Sequence, residues 1–139
     1  MKQSDAYEMI GDLIDRLTEE KHHAVYEHEW KTDEQLKTRI AVEKKSAASC
    51  FNKGIDITEA IIDAIEESSE ILPWLTKSTE RTLIIKAECK NCGKKFLRSI
   101  EHNWEDGAIT CNQIEVILSK NCDKYSFVDY IYLYTAYPV

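Results

Sequence analysis

Apolar residues in the first part of the chain recur at three- and four-residue steps. Ala6, Ile10, Leu13, Leu17 and Ala24, with Met9 and Ile14 beside them, fall on one face of a helix. Ser4 supplies an N-cap oxygen, and the pattern predicts a helix running to about Trp30. Thr32 with Gln35 three residues on is a capping-box pair. It predicts a second helix carrying Leu36, Ile40, Ala47 and Ala48 to about Phe51, with one unbroken helix over residues 4–51 as the alternative. Asn52, Lys53 and Gly54 end it, because glycine tolerates the left-handed conformation that closes helices. Asp56 with Glu59 opens a further helix whose inner face bears Ile57, Ala60, Ile61, Ala64, Ile65 and Leu72, and Pro73 closes it.

After residue 78 the period changes. Residues 82–88, 95–101 and 125–137 are rich in β-branched and aromatic side chains and read as strands. Asp106 and Gly107 mark a turn. Residues 113–118 read as strand, with a short helix as the alternative. In the last segment Tyr130, Tyr132 and Tyr134 alternate with Phe127, Ile131 and Leu133. Such a strand is either a stacking or docking surface or is covered on both faces. The fold class expected is α+β: two or three N-terminal amphipathic helices packed on a small C-terminal antiparallel sheet.

Composition divides the chain at the same place. Residues 1–78 carry the whole net charge of −7, and residues 79–139 are balanced. An acidic helical region, 1–78, and a β region, 79–139, therefore pack as one compact domain, with no Gly/Ser-rich linker between them. A chain of 139 residues buries an ordinary core. It contains no apolar run long enough to span a membrane and no secretory signal pattern, so a cytoplasmic location is expected. In a reducing compartment its five cysteines are thiols or metal ligands sooner than disulfides.

Candidate chemistry centres on AECKNCGKKF. Cys89 and Cys92 flank two residues and precede Gly93, the geometry of a zinc knuckle, and Cys111 and Cys122 supply two further sulfurs. Residues 86–110, a knuckle followed by strand, turn and strand, resemble the first two thirds of a zinc ribbon. The second knuckle departs from that family, because ten residues separate Cys111 from Cys122; His102 is a substitute fourth ligand. The resemblance implies structural Zn2+ held by Cys89, Cys92, Cys111 and Cys122. Alternatively Cys89 and Cys92 are core thiols or a reversible redox pair. Cys50, beside Phe51, reads as core.

Two charged surfaces accompany the cysteines. Lys90, Lys94, Lys95 and Arg98, with Lys120 and Lys124, form a basic rim suited to phosphates, or simply a solvated face. Glu27, Glu29, Asp33 and Glu34, with Glu59, Asp63, Glu66, Glu67 and Glu70, present an acidic array that can imitate nucleic acid to a basic partner; interspersed lysines argue for an ordinary helix surface instead. Enzyme signatures are incomplete. Glu19/His22 and Glu20/His23 have di-iron spacing without a second pair. Glu66, Glu67 and Glu70 resemble the first acidic motif of all-helical nucleotide pyrophosphatases, but the companion helix is missing. His22, His23 and His28 lie on a polar stretch and read as exposed. The expectation is a non-enzymatic, zinc-binding cytosolic regulator or inhibitor. It would dock on a protein partner, such as a nucleic-acid-handling enzyme, through its acidic helices. A zinc-ribbon nucleic-acid binder and a metal-dependent nucleotide hydrolase are the alternatives.

Overall fold

The computed structural model describes residues 1–98, 104–125 and 128–139. Five α-helices and four strands are seen among them: α1 (Gln3–Glu19), α2 (His23–His28), α3 (Asp33–Glu43), β1 (Ala47–Phe51), α4 (Ile57–Glu67), α5 (Ile71–Lys77), β2 (Thr82–Leu97), β3 (Ile109–Cys122) and β4 (Val128–Pro138). The strands form one antiparallel sheet in the order β1-β2-β3-β4. The α+β class holds, and none of the helices is long and apolar enough to cross a membrane among the described residues.

Local chemistry explains where the helices begin. The Gln35 amide donates to Thr32 Oγ1 at 3.2 Å while the Thr32 amide donates to the Gln35 side chain at 2.8 Å, the reciprocal capping box. Asp56 accepts from the Glu59 amide at 3.0 Å and starts α4. The helix expected to reach Trp30 breaks at Glu20, which is extended. His22 then restarts it as α2: its Nδ1 accepts the Ala24 amide at 2.9 Å, an imidazole serving where a hydroxyl or carboxylate is usual. Pro73 stands in the first turn of α5 and does not close the preceding helix. The first amides of a helix have no intrahelical acceptor, so proline costs nothing there.

The helix expected to run to Phe51 stops at Lys44, whose φ of 55° is left-handed. Residues 47–51 become β1, paired from Ala47↔Leu97 to Phe51↔Gly93. Nothing in AASCF demands a strand; the ladder with β2 imposes it. Residues 82–88 and the described part of 95–101 are one long strand, interrupted by a bulge between Glu88 and Gly93. The residues 113–118 are strand, within β3.

One face of the sheet is covered by α1, α4 and α5, which bury Leu13, Leu17, Ile61, Ile65 and Trp74 with Val116, Leu118, Ile131 and Leu133. A second, smaller core joins Leu36 and Ile40 of α3 to Ala48, Cys50 and Phe96. The outer strands β1 and β4 nevertheless contact one another, because the sheet curls. Pro138 of β4 lies over Gly93 of β2: a Cβ at Gly93 would fall 2.5 Å from Pro138 Cβ and 2.6 Å from the Cys50 carbonyl oxygen. Gly93 is thus required for strand approach. Gly93→Ala is expected to destabilise the fold by about 1–3 kcal/mol, an overpacking cost read from the urea midpoint. An unchanged midpoint would mean that β4 does not close onto β2 as described.

Candidate active site

The curl leaves a cleft of about 530 Å³ between β1 and the end of β4, roofed by α2 and α3. Its lining includes His23, Glu27 and His28 of α2, Arg39 of α3, Lys45, Ser49 of β1, and Tyr134, Thr135 and Tyr137 of β4. His28 is the last residue of the six-residue α2, so its ring turns off the helix end into the cleft. Arg39 lies one turn beyond Leu36 and beside Ile40, on the rim of the buried seam of α3. Thr135 and Tyr137 alternate with the buried Ala136 and Pro138 and so face the cleft.

The His28 side chain is 12% exposed, not solvated as its polar surroundings suggested. Its Nδ1 is buried with no hydrogen-bond partner among the described residues. Its ring centroid is 5.7 Å from that of Tyr137. Burial, aided by the Arg39 and Lys31 charges, lowers the His28 pKa from the ordinary 6.5, against the opposing pull of Glu27 and of a hydrogen bond to the Ser49 backbone. The imidazole is therefore neutral at pH 7 and free to accept a proton.

Arg39 is held in place by two carboxylates. Its Nη2 donates to Glu27 Oε1 at 3.0 Å and its Nε to Glu43 Oε2 at 3.0 Å, so Nη1 has no protein partner among the described residues. Glu27 Oε1 is also 4.0 Å from His28 Nε2. Burial pushes the Glu27 pKa up, but His28 and the Arg39 hydrogen bond and charge outweigh it and hold the carboxyl below its usual range. Lys45 adds a second cation, 3.6 Å from Glu43. Tyr137 donates its hydroxyl to Glu115, and burial first, then that bond, pushes its pKa up to about 12. A neutral base, a fixed guanidinium and a protonated phenol thus meet in one cleft. Such a set can take a proton from a hydroxyl and stabilise charge on a phosphate.

A family model described as "Bacterial CdiA-CT RNAse A domain" matches residues 22–138. The chain belongs to that family. Every cleft residue named above lies inside the matched span. The solved CdiA-CT/CdiI complex from Y. kristensenii 33638 contains a chain of similar fold, at a TM-score of 0.65 and 20% identity, covering 85% of this chain and 99% of that one. Comparison with curated proteins returns no match.

Membership in the CdiA-CT RNAse A domain family corrects four expectations. The resemblance to a zinc ribbon was misleading, because the family match spans nearly the whole chain. The reading as a non-enzymatic regulator or inhibitor fails against a family described as an RNAse domain, and with it the expectation that the chain is not an enzyme. Structural Zn2+ fails too: no group of three or more His, Cys, Asp or Glu among the described residues is placed to hold a metal ion.

The physical reason is the length of β3. Cys111 and Cys122 stand near opposite ends of that strand, about 36 Å apart at ~3.3 Å per residue, so both cannot reach one ion. Cys92 is buried against the Cys111 and Gln113 carbonyls, at 3.8 and 3.5 Å. Burial, then Cys89, pushes its pKa up to about 12, and burial pushes Cys111 up to about 11. These are protonated core thiols, poor ligands and poor nucleophiles at neutral pH. His102 lies outside the described residues, as does Phe127.

Several members of the two charged surfaces are ion-paired. Lys94 pairs with Asp33 at 2.8 Å, Lys21 with Glu29 at 3.2 Å and Lys37 with Glu34 at 3.5 Å. Lys120 is only 6% exposed: its ammonium donates to the Trp74 and Ser78 carbonyls at 2.6 and 2.8 Å, closing the end of α5. Of the acidic set, only Glu27 lines the cleft. Glu59, Asp63, Glu66 and Glu67 lie along α4, and Glu70 is at the start of α5. Lys90, Lys95, Arg98 and Lys124 do not line the cleft. Sequence reading missed Arg39, Thr135 and Tyr137 outright and set His28 aside as exposed.

Proposed function

We propose that this protein is a ribonuclease that cuts RNA by internal transphosphorylation in the cleft between α2, α3 and β4. The observation that carries the reading is the neutral, buried His28 beside Arg39, within a family described as an RNAse domain. His28 accepts the proton of a ribose 2′-hydroxyl, whose oxygen attacks the adjacent phosphorus. The new O–P bond closes a 2′,3′-cyclic phosphate as the bond to the 5′-oxygen breaks. Arg39 and Lys45 hold the charge that accumulates on the non-bridging oxygens. The departing 5′-oxygen takes its proton from water, while Tyr137, its hydroxyl committed to Glu115, packs beside the His28 ring.

The test is incubation of the purified chain with a labelled RNA and with the same RNA carrying a single 2′-deoxy sugar at the cut position. Cleavage of the first, with 2′,3′-cyclic phosphate ends, and none at the deoxy position is expected. Equal cutting of both, or of neither, would sink the assignment.

A protein partner belongs to the reading because the similar solved chain comes from a CdiA-CT/CdiI complex. We propose that a CdiI-type protein binds this chain; co-expression and co-purification with such a protein checks it. Five unpaired cysteines support action in a reducing compartment such as the cytoplasm.

A further inference from the structure

The strand that carries Thr135 and Tyr137 has one residue too many at the cleft. Leu133 pairs with Leu118 and Thr135 with Ile117, so Tyr134 has no partner across the ladder. Before this point the buried residues of β4 are Ile131 and Leu133, and after it Ala136 and Pro138. The extra residue shifts the alternation by one and leaves Tyr134 beside Thr135 on the open side. Bulges recur beside active sites because they re-aim a side chain. Here the re-aimed side chain is an aromatic ring, 64% exposed, on the wall of the cleft that holds His28 and Arg39.

The backbone below that ring is fixed. Arg16 Nη2 donates to the Ile131 carbonyl at 2.7 Å. His22, whose Nδ1 caps α2, also hydrogen-bonds the Leu133 backbone. An uncovered aromatic on an anchored strand loses little freedom when something settles on it. Continuing across the same face, the row Ile84, Ile117 and Thr135 is apolar at its far end, with Ile84 52% exposed. Next to the cleft cations there is thus an exposed aromatic ring on an anchored strand, with Ile117 and Ile84 beyond it on the same face. Cations that meet phosphate together with an aromatic face that meets a base are what single-stranded nucleic acid binds.

We propose that Tyr134 is a base-stacking residue, on whose ring lies the nucleobase adjoining the scissile phosphate. This deepens the ribonuclease reading and rests on it for the identity of the ligand. Tyr134 contributes to substrate affinity and to the choice of cleavage position, while His28 and Arg39 do the chemistry.

The experiment compares wild type, Tyr134→Phe and Tyr134→Ala in two measurements. The first is kcat/KM on an RNA oligonucleotide, with cleavage positions mapped on a random-sequence pool. The second is the Kd for a 2′-O-methyl oligonucleotide, which has no hydroxyl to attack. Tyr134→Ala is expected to lower kcat/KM and weaken binding by about 5- to 150-fold, the range for losing one stacked base. The preference at one position next to the cut should flatten with it. Tyr134→Phe, which keeps the ring face, should retain both properties. Wild-type affinity and preference in the alanine variant would overturn the proposal, as would equal losses in both variants, which would implicate the hydroxyl. An alanine variant that loses only its hold on a CdiI-type protein would make the ring a protein contact instead. If wild type cleaves no RNA the ribonuclease reading falls, and the binding measurement still decides whether Tyr134 stacks.

Discussion

Replacing His28 with alanine is expected to reduce RNA cleavage by about 10²–10⁴-fold, the usual contribution of a positioned general base. The loss should fall on kcat and leave KM nearly unchanged, because the imidazole acts on a proton in flight and the cations hold the phosphate. The ring is nearly buried, so alanine leaves space and the fold could loosen. His28→Gln, which keeps bulk without a titrating group, separates the two effects: it should be as inactive as His28→Ala while unfolding at the wild-type temperature.

The wild-type pH profile carries the same signature. Burial lowers the His28 pKa, so the base form persists below pH 6.5, and kcat/KM should rise through an acid limb that lies below that value and be flat at neutral pH. The limb should vanish in both variants. A His28→Gln enzyme retaining wild-type turnover would remove His28 from the mechanism.

Much of the scaffold was legible because its causes are local. The Thr32/Gln35 and Asp56/Glu59 caps sit within four residues of the amides they satisfy, and Ala6, Leu13 and Leu17 announce a buried helix face by spacing alone. The strands after residue 78 declare themselves through β-branched and aromatic residues. Where the cause is distant, the reading failed. AASCF is a strand only because β2 offers it a ladder, and His22 caps α2 with an imidazole nitrogen, a residue type that capping preferences do not single out. In AECKNCGKKF the glycine admits Pro138 and not a metal. Asn91 takes a left-handed φ of 53° in the bulged part of β2, where its amide donates to the Asn112 side chain. Two cysteines and a glycine at knuckle spacing are thus also what a bulged strand with a tight neighbour looks like.

The cleft was illegible for the same reason in stronger form. His28, Arg39, Thr135 and Tyr137 come from three elements near both ends of the chain, and no spacing relates them. The acidic surplus of residues 1–78 drew the reading towards partner mimicry, yet its most consequential member, Glu27, faces inward. It orients Arg39 and sets the electrostatics of His28.

That role makes Arg39 the sharper test of the whole arrangement. Arg39→Ala is expected to lower kcat/KM by about 10²–10³-fold, as for removal of a preorganised oxyanion donor. It should also move the acid limb of the pH profile upward. The sign follows from the neighbours: Arg39 depresses the His28 pKa and Glu27 raises it, so deleting the guanidinium leaves the carboxylate unopposed. More acid is then needed to block the base in wild type than in the variant. Stability should change little, because the Arg39–Glu27 pair is partly solvated and such pairs are worth about 0–1 kcal/mol. Arg39→Lys restores the charge but not the fork that grips Glu27 and Glu43 at once, so it should recover the acid limb more fully than the rate. A rate loss with an unmoved limb would confine Arg39 to the phosphate; a moved limb without a rate loss would confine it to tuning His28. Only both together show one guanidinium serving base and phosphate in the same cleft.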